Sequence, residues 1–229
     1  MKRRMLIPVC VLTSSVWTFV LSIVAVPSQA GDVPTEARPA VSVAHPFPLN
    51  SVRLLDGPFS VLVAANRDYL LALDPDRLLA PFRREAGLEP RKPSYGNWES
   101  GGLDGHTAGH YLSALATMIA SGDDTPEGEL KRRLDYMIAE MEQCQKASGD
   151  GYLGGVPGSR ELWKAVAAGR VEAVNRKWVP WYNLHKTYAG LRDAYLDAAN
   201  SQARDILVRC HDGLNAAPLS ATLRTQFKQ

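Results

Sequence analysis

Between residues 125 and 144 the chain places Leu130, Leu134, Met137, Ile138, Met141 and Cys144 on one helical stripe, opposed by Lys131, Arg132, Asp135 and Glu142. Spacings of three and four residues keep those apolar positions on one side of a helix, so the stretch is expected to be a surface helix with one buried face, opened at Thr125-Pro126. The same period runs through Val61, Leu62, Ala65, Tyr69 and Leu73, behind a Pro58 suited to a first helical turn, and Asp74-Pro75 restarts a shorter helix through Phe82. It returns from Trp181 to Ala198, where Leu184, Tyr188, Leu191 and Tyr195 share a stripe, and again from Ser201 to about Leu214. Ser159 is placed to cap a short helix around Trp163. Before Gly57, Pro46 and Pro48 oppose helix and favour one or two short extended segments over residues 47–55. The glycine-rich run from Gly149 to Gly155 reads as a loop.

Two of these pieces form a weak repeat. His110-Tyr111-Leu112 opens a helix that stops near Gly122-Asp123-Asp124 and turns into a charged amphipathic one. His185-Lys186-Thr187, 75 residues later, lies near the start of a helix that stops near Asn200 and does the same. Each unit reads as a helical hairpin with a histidine near the start of its more apolar member, and stacked hairpins build solenoids and helical toroids. The expected class is therefore all-α dominated, with short β segments at its N-terminal side.

Composition changes the picture mainly at the N-terminus. The chain of 229 residues is 45% hydrophobic and 22% charged, the balance of a globular protein and not of a disordered or collagen-like one. Lys2-Arg3-Arg4, the apolar run from Met5 to Val26 and the small-x-small site Ser28-Gln29-Ala30 have the layout of an export signal. The apolar run is long enough to anchor the chain if uncut, but the polar Gly31-Asp32-Val33-Pro34 favours cleavage after Ala30. Cleavage removes three cations and no carboxylate, leaving 23 cations against 24 carboxylates. A balanced chain has no electrostatic attraction for nucleic acid. The expected plan is a signal over 1–30, a linker over 31–45 and a helical domain over 46–229, exported to the periplasm or outside the cell, with no stable membrane association. Cys10 leaves with the signal, and Cys144 and Cys210 read as two buried thiols.

Candidate chemistry gathers in two clusters. From Tyr95 to Tyr111 a glycine-rich loop carrying Trp98, Glu99 and Asp104 runs into a helix bearing His106 and His110. The two histidines are one helical turn apart, as in zinc proteases, but Thr107 stands where such a helix needs a glutamate. Hydrogen bonding to a polyhydroxylated ligand fits the set better. From Trp178 to Lys186 the aromatic side chains of Trp178, Trp181 and Tyr182 lie beside Asn183, His185 and Lys186. Flat apolar faces next to donors and acceptors suit a sugar ring. Packing between helices is the competing reading for Trp178 and Trp181. Glycosidic hydrolysis usually needs two carboxylates, and Glu99 and Asp104 are candidates by location alone. A third class, a metal-dependent enzyme using His106, His110 and His185, also stays open.

At these residues the chain resembles glycoside hydrolase families 127 and 146, the β-L-arabinofuranosidase-like enzymes, and most closely the 146 branch. The motifs are Asn97-Trp98-Glu99, Gly101-Gly102-Leu103-Asp104-Gly105-His106, the segment from Gly109 to Leu115, the segment from Gly151 to Gly158, and the segments from Lys177 to Lys186 and Ala189 to Tyr195. The resemblance runs from about Pro46 to Arg209. It implies an (α/α)6 barrel, present here in part, and removal of β-L-arabinofuranose from plant cell-wall glycans. It also implies sugar contacts by His110 and His185, with His106 nearby and Trp98, Glu99 and Trp181 as further pocket-wall candidates. Complete members use a cysteine nucleophile and a zinc held by glutamate and cysteines, downstream of the motifs found here. On that basis the chain is expected to be the N-terminal part of such a catalytic domain, to lack nucleophile and metal ligands, and to be inactive alone. A non-catalytic saccharide-binding or scaffold remnant is the alternative.

Overall fold

The computed structural model describes residues 44–216. The expected signal, and nearly all of the expected linker, lie outside them. From Pro46 onward the described residues form one compact unit. It contains α1 (Pro58–Ala72), α2 (Pro75–Glu85), α3 (His106–Ser121), α4 (Glu129–Ser148), α5 (Ser159–Ala167), α6 (Pro180–Leu196) and α7 (Ser201–Ala216). Short 3-10 turns at Leu49–Ser51, Asn97–Ser100 and Val171–Arg176 complete it, and there is no strand among the described residues. The all-α class agrees with the periodicity, whereas the expected β segments are absent. Pro48 and Val52 do have extended backbone angles, but they flank the Leu49–Ser51 turn. Extended angles alone make no sheet, and a proline cannot donate to a ladder.

The stripe from Leu130 to Cys144 is fully buried at all six positions. Its helix starts later than Thr125-Pro126 suggests. The Asp124 carboxylate accepts the backbone N–H groups of Leu130 and Lys131 at 2.8 and 3.1 Å, and Thr125 Oγ1 accepts that of Glu129 at 2.9 Å. The donors left over at the helix start are thus satisfied from the preceding turn, in which Pro126 sits. Ser159 also differs from its expected role. It is the first residue of α5, and its hydroxyl lies 2.5 Å from that of Tyr152. The N–H of Gly158 instead reaches both oxygens of Glu85, each at 3.1 Å, and burial raises the pKa of that carboxyl.

Helix α3 packs chiefly against α6, with α4 and α7 as their hairpin partners. The crossing of α3 and α6 is set by two glycines. A Cβ on Gly109 would lie 2.2 Å from the Lys186 carbonyl oxygen, and one on Gly190 would lie 2.5 Å from the Gly109 carbonyl oxygen. One turn further along, Ser113 Oγ donates to Asp193 Oδ2 at 2.6 Å, so the two helices run parallel. The residues facing each other at that bond are 80 apart in sequence, and the close contacts of Gly109 with Lys186 and Gly190 set how the helices slide. Behind them Gln145 Nε2 donates to the Ile206 carbonyl at 3.0 Å, and Arg209 pairs with Glu142 at 2.9 Å, joining α4 to α7. Buried Glu140 on α4 pairs with Arg83 and Arg91, each at 2.8 Å, and ties down α2 and the segment after it. Cys144 and Cys210 are free, buried thiols, as the sequence suggests.

Candidate functional site

The site is built where the starts of α3 and α6 meet. Trp98 and Glu99 lie on the Asn97–Ser100 turn, which leads through Gly101 to Gly105 into His106, the first residue of α3. Gly105 has φ +92°, and a Cβ there would meet the Phe82 ring at 3.0 Å and Gly155 Cα at 3.2 Å. Only glycine fits that corner without strain. Glu99, 4% exposed, turns its carboxylate onto the helix start. Oε2 accepts the Gly105 N–H at 2.8 Å and Oε1 accepts that of Thr107 at 3.0 Å. It therefore satisfies two otherwise orphaned donors at the positive end of the helix dipole.

The same carboxylate orients His106. Nδ1 of that ring lies 2.7 Å from Glu99 Oε1 and 2.6 Å from the Leu103 carbonyl oxygen. Two acceptors at one nitrogen assign a hydrogen to Nδ1 and turn Nε2 away from Glu99. Asp104 is buried as well. Its carboxylate pairs with Arg84 at 2.9 Å and accepts the Gly102 N–H at 2.9 Å. Both carboxylates proposed from location as a hydrolytic pair are thus committed to holding the loop and the helix start.

One turn along α3, His110 is exposed, and its ring centroid lies 6.0 Å from that of His106, edge to face. Its Nε2 lies 3.2 Å from the hydroxyl of Tyr182 on α6. The Tyr182 ring is 6.0 Å from that of His106, the Trp98 ring is 6.4 Å from it, and Lys186 Nζ lies 5.1 Å over the face of Tyr182. Partial desolvation where its ring packs on its neighbours lowers the pKa of His110, reinforced by the positive charges of Lys186, His106 and His185. Trp98, Glu99 and His106 line a cavity of about 650 Å³ together with Tyr69, Tyr95 and Thr107.

The remaining two candidates are placed elsewhere. Trp181 packs on Trp163 with ring centroids 4.5 Å apart, and with His185 it lines a separate groove of about 580 Å³ against Tyr188, Arg192 and Leu207. The helix phase explains the split, since Trp181 and Tyr182 are a hundred degrees apart around α6. Four of the six candidates, Trp98, Glu99, His106 and His110, come together; Trp181 and His185 line the neighbouring groove.

A profile of the β-L-arabinofuranosidase GH127 catalytic domain matches residues 51–226, most of the chain. The chain belongs to the GH127 family. A comparison with curated proteins finds no match.

In this GH127 domain these residues hold aromatic faces, one imidazole oriented through its Nδ1 and one whose pKa its surroundings lower. The described residues do not fit the zinc that the family resemblance implies. They hold no cluster of three or more His, Cys, Asp and Glu arranged for a metal. Burial pushes the thiols of Cys144 and Cys210 up to about 11 and about 12, and a metal takes a thiolate. No step is therefore assigned to zinc. Tyr182 and Asn183 are the residues that sequence reasoning undervalued. Both stand inside the aromatic motif of α6, and the register between α3 and α6, which no single-helix pattern contains, is what brings Tyr182 to His106 and His110 and buries Asn183.

Proposed function

We propose that this GH127 chain takes part in processing arabinose-containing plant cell-wall glycans as the sugar-recognising portion of an exported β-L-arabinofuranosidase-type hydrolase. The observation that carries the reading is the ring cluster of Trp98, His106, His110 and Tyr182 at the joint start of α3 and α6. An aromatic face beside imidazole and hydroxyl groups matches a sugar's C–H face and hydroxyl edge. Export rests on the basic head, apolar run and small-x-small site of residues 1–30, and no helix among the described residues is long and apolar enough to cross a membrane.

The test is thermal stabilisation of the full chain by methyl β-L-arabinofuranoside, with methyl β-D-glucopyranoside as the control sugar. A ligand that binds only the folded state raises the midpoint by an amount that grows with the logarithm of its concentration relative to Kd. Stabilisation by the arabinoside alone, lost in Trp98→Ala and His110→Ala, is expected. Equal response to both sugars, or none, overturns the reading. The second reading, a saccharide-binding remnant without chemistry, is favoured by the commitment of both Glu99 and Asp104 to structural contacts. Release of nitrophenol from an aryl β-L-arabinofuranoside by the pure chain separates the two: turnover rules out the remnant.

A further inference from the structure

Asn183 on α6 is 5% exposed, and neither its Oδ1 nor its Nδ2 has a hydrogen-bond partner in the protein. An amide buried in that way carries an uncompensated desolvation cost, and such groups in native folds call for a reason. Its position supplies one. Asn183, Thr187, Gly190 and Ala194 are all buried and fall four, three and four residues apart, on the face of α6 that meets Gly109 of α3 at Thr187 and Gly190. Because the helices run parallel, one turn back from that crossing Asn183 comes level with Gly105 and His106. The neighbouring Tyr182 independently marks the same place, with its ring 6.0 Å from that of His106 and its hydroxyl 3.2 Å from His110 Nε2. The amide therefore lies at the level where Glu99 and the Leu103 carbonyl already hold His106 without it.

We infer that Asn183 is a specificity-determining residue of this site, its Nδ2 donating to and its Oδ1 accepting from two hydroxyls of a bound furanoside. A neighbouring pair of sugar hydroxyls offers the matching acceptor and donor, whereas an apolar ligand leaves both amide atoms unpaired. Tyr182, the residue before Asn183, contacts His110 through its hydroxyl and presents an exposed ring at the same level of the helix. The inference rests on the glycan-binding reading above.

The test uses the full chain with Asn183→Ala and Asn183→Leu, one leaving space and one filling it, so that neither a cavity nor crowding alone decides the result. At least one variant should match or exceed the wild-type midpoint without ligand, by up to about 4 °C, because the uncompensated polar atoms are gone. Both should bind methyl β-L-arabinofuranoside at least about tenfold more weakly. A lowered ligand-free midpoint or failure to fold in both variants assigns the amide to holding the fold and overturns the inference. So does wild-type affinity in either folded variant. If wild-type chain itself shows no response to the arabinoside, the glycan-binding reading falls and this inference with it; a wild-type response that survives both substitutions overturns this inference alone.

Discussion

At the scale of single residues, the site turns on which groups are already engaged. His106 has its Nδ1 held by Glu99 and Leu103, while His110 has a tyrosine hydroxyl at its Nε2, with no carboxylate among the described residues on its ring, and keeps its charge state open to pH. Burial, then Lys186, His106 and His185, lower the pKa of His110 below the ordinary histidine value of 6.5. A base that holds its proton less tightly when folded has its full stability above the unfolded value and loses it as pH falls, because the unfolded chain takes up the proton first. The melting midpoint of wild type should therefore fall between pH 7.5 and pH 5, and His110→Gln should flatten that part of the curve. Parallel pH profiles for the two proteins would sink the assignment. The presence of Trp98, Glu99, His106 and His110 in one site was legible in the sequence because they lie within a single loop and the first turns of one helix. The role of Glu99 was not, since nothing in its spacing distinguishes a carboxylate facing a substrate from one accepting the N–H groups of Gly105 and Thr107.

Among elements, the contact that matters most is the one between α3 and α6, and it rests on the absence of two side chains. Glycine inside a helix costs about 1 kcal/mol against alanine, so propensity alone says that Gly109→Ala and Gly190→Ala should stabilise. The geometry says the reverse. A Cβ on Gly109 falls 2.2 Å from a carbonyl oxygen, and the helices must separate to admit it. The expected result is a loss of about 2–3 kcal/mol or more for each, read from denaturant midpoints. Gly96→Ala, where a Cβ meets nothing within 4 Å, should be close to neutral. Stabilisation by Gly109→Ala would mean that the helices do not approach so closely. The helices themselves were readable because a buried face repeats every three or four residues, as the fully buried stripe of α4 demonstrates. Their lateral register was not: the 75-residue offset of the sequence repeat states no spatial alignment, whereas the Ser113–Asp193 bond and the contacts of Gly109 with Lys186 and Gly190 do.

For the molecule as a whole, periodicity and burial part company at α1. Its sequence has the same apolar recurrence as α4, yet Phe59, Val61, Leu62 and Tyr69 are each more than 60% exposed, and Leu70 alone is buried. A pattern of apolar residues states that a face is fit to be covered and does not state by what. Leu54 and Leu55, at 54% and 87% exposure, lie beside the start of the helix and extend the same apolar character. Solution behaviour should follow from this surface. Replacing Phe59 and Leu62 together by glutamate removes two large apolar side chains that contribute little burial, and puts the charge at position 59 in a first turn with no acidic residue, where the dipole favours it. The double variant should keep the wild-type midpoint to within about 0.5 kcal/mol, as exposed substitutions do. Its concentration-dependent association, followed by sedimentation velocity, should fall below that of wild type. A midpoint several degrees lower would instead mean that the stripe is covered in solution, and the exposure of α1 would then be the part of this fold to revise.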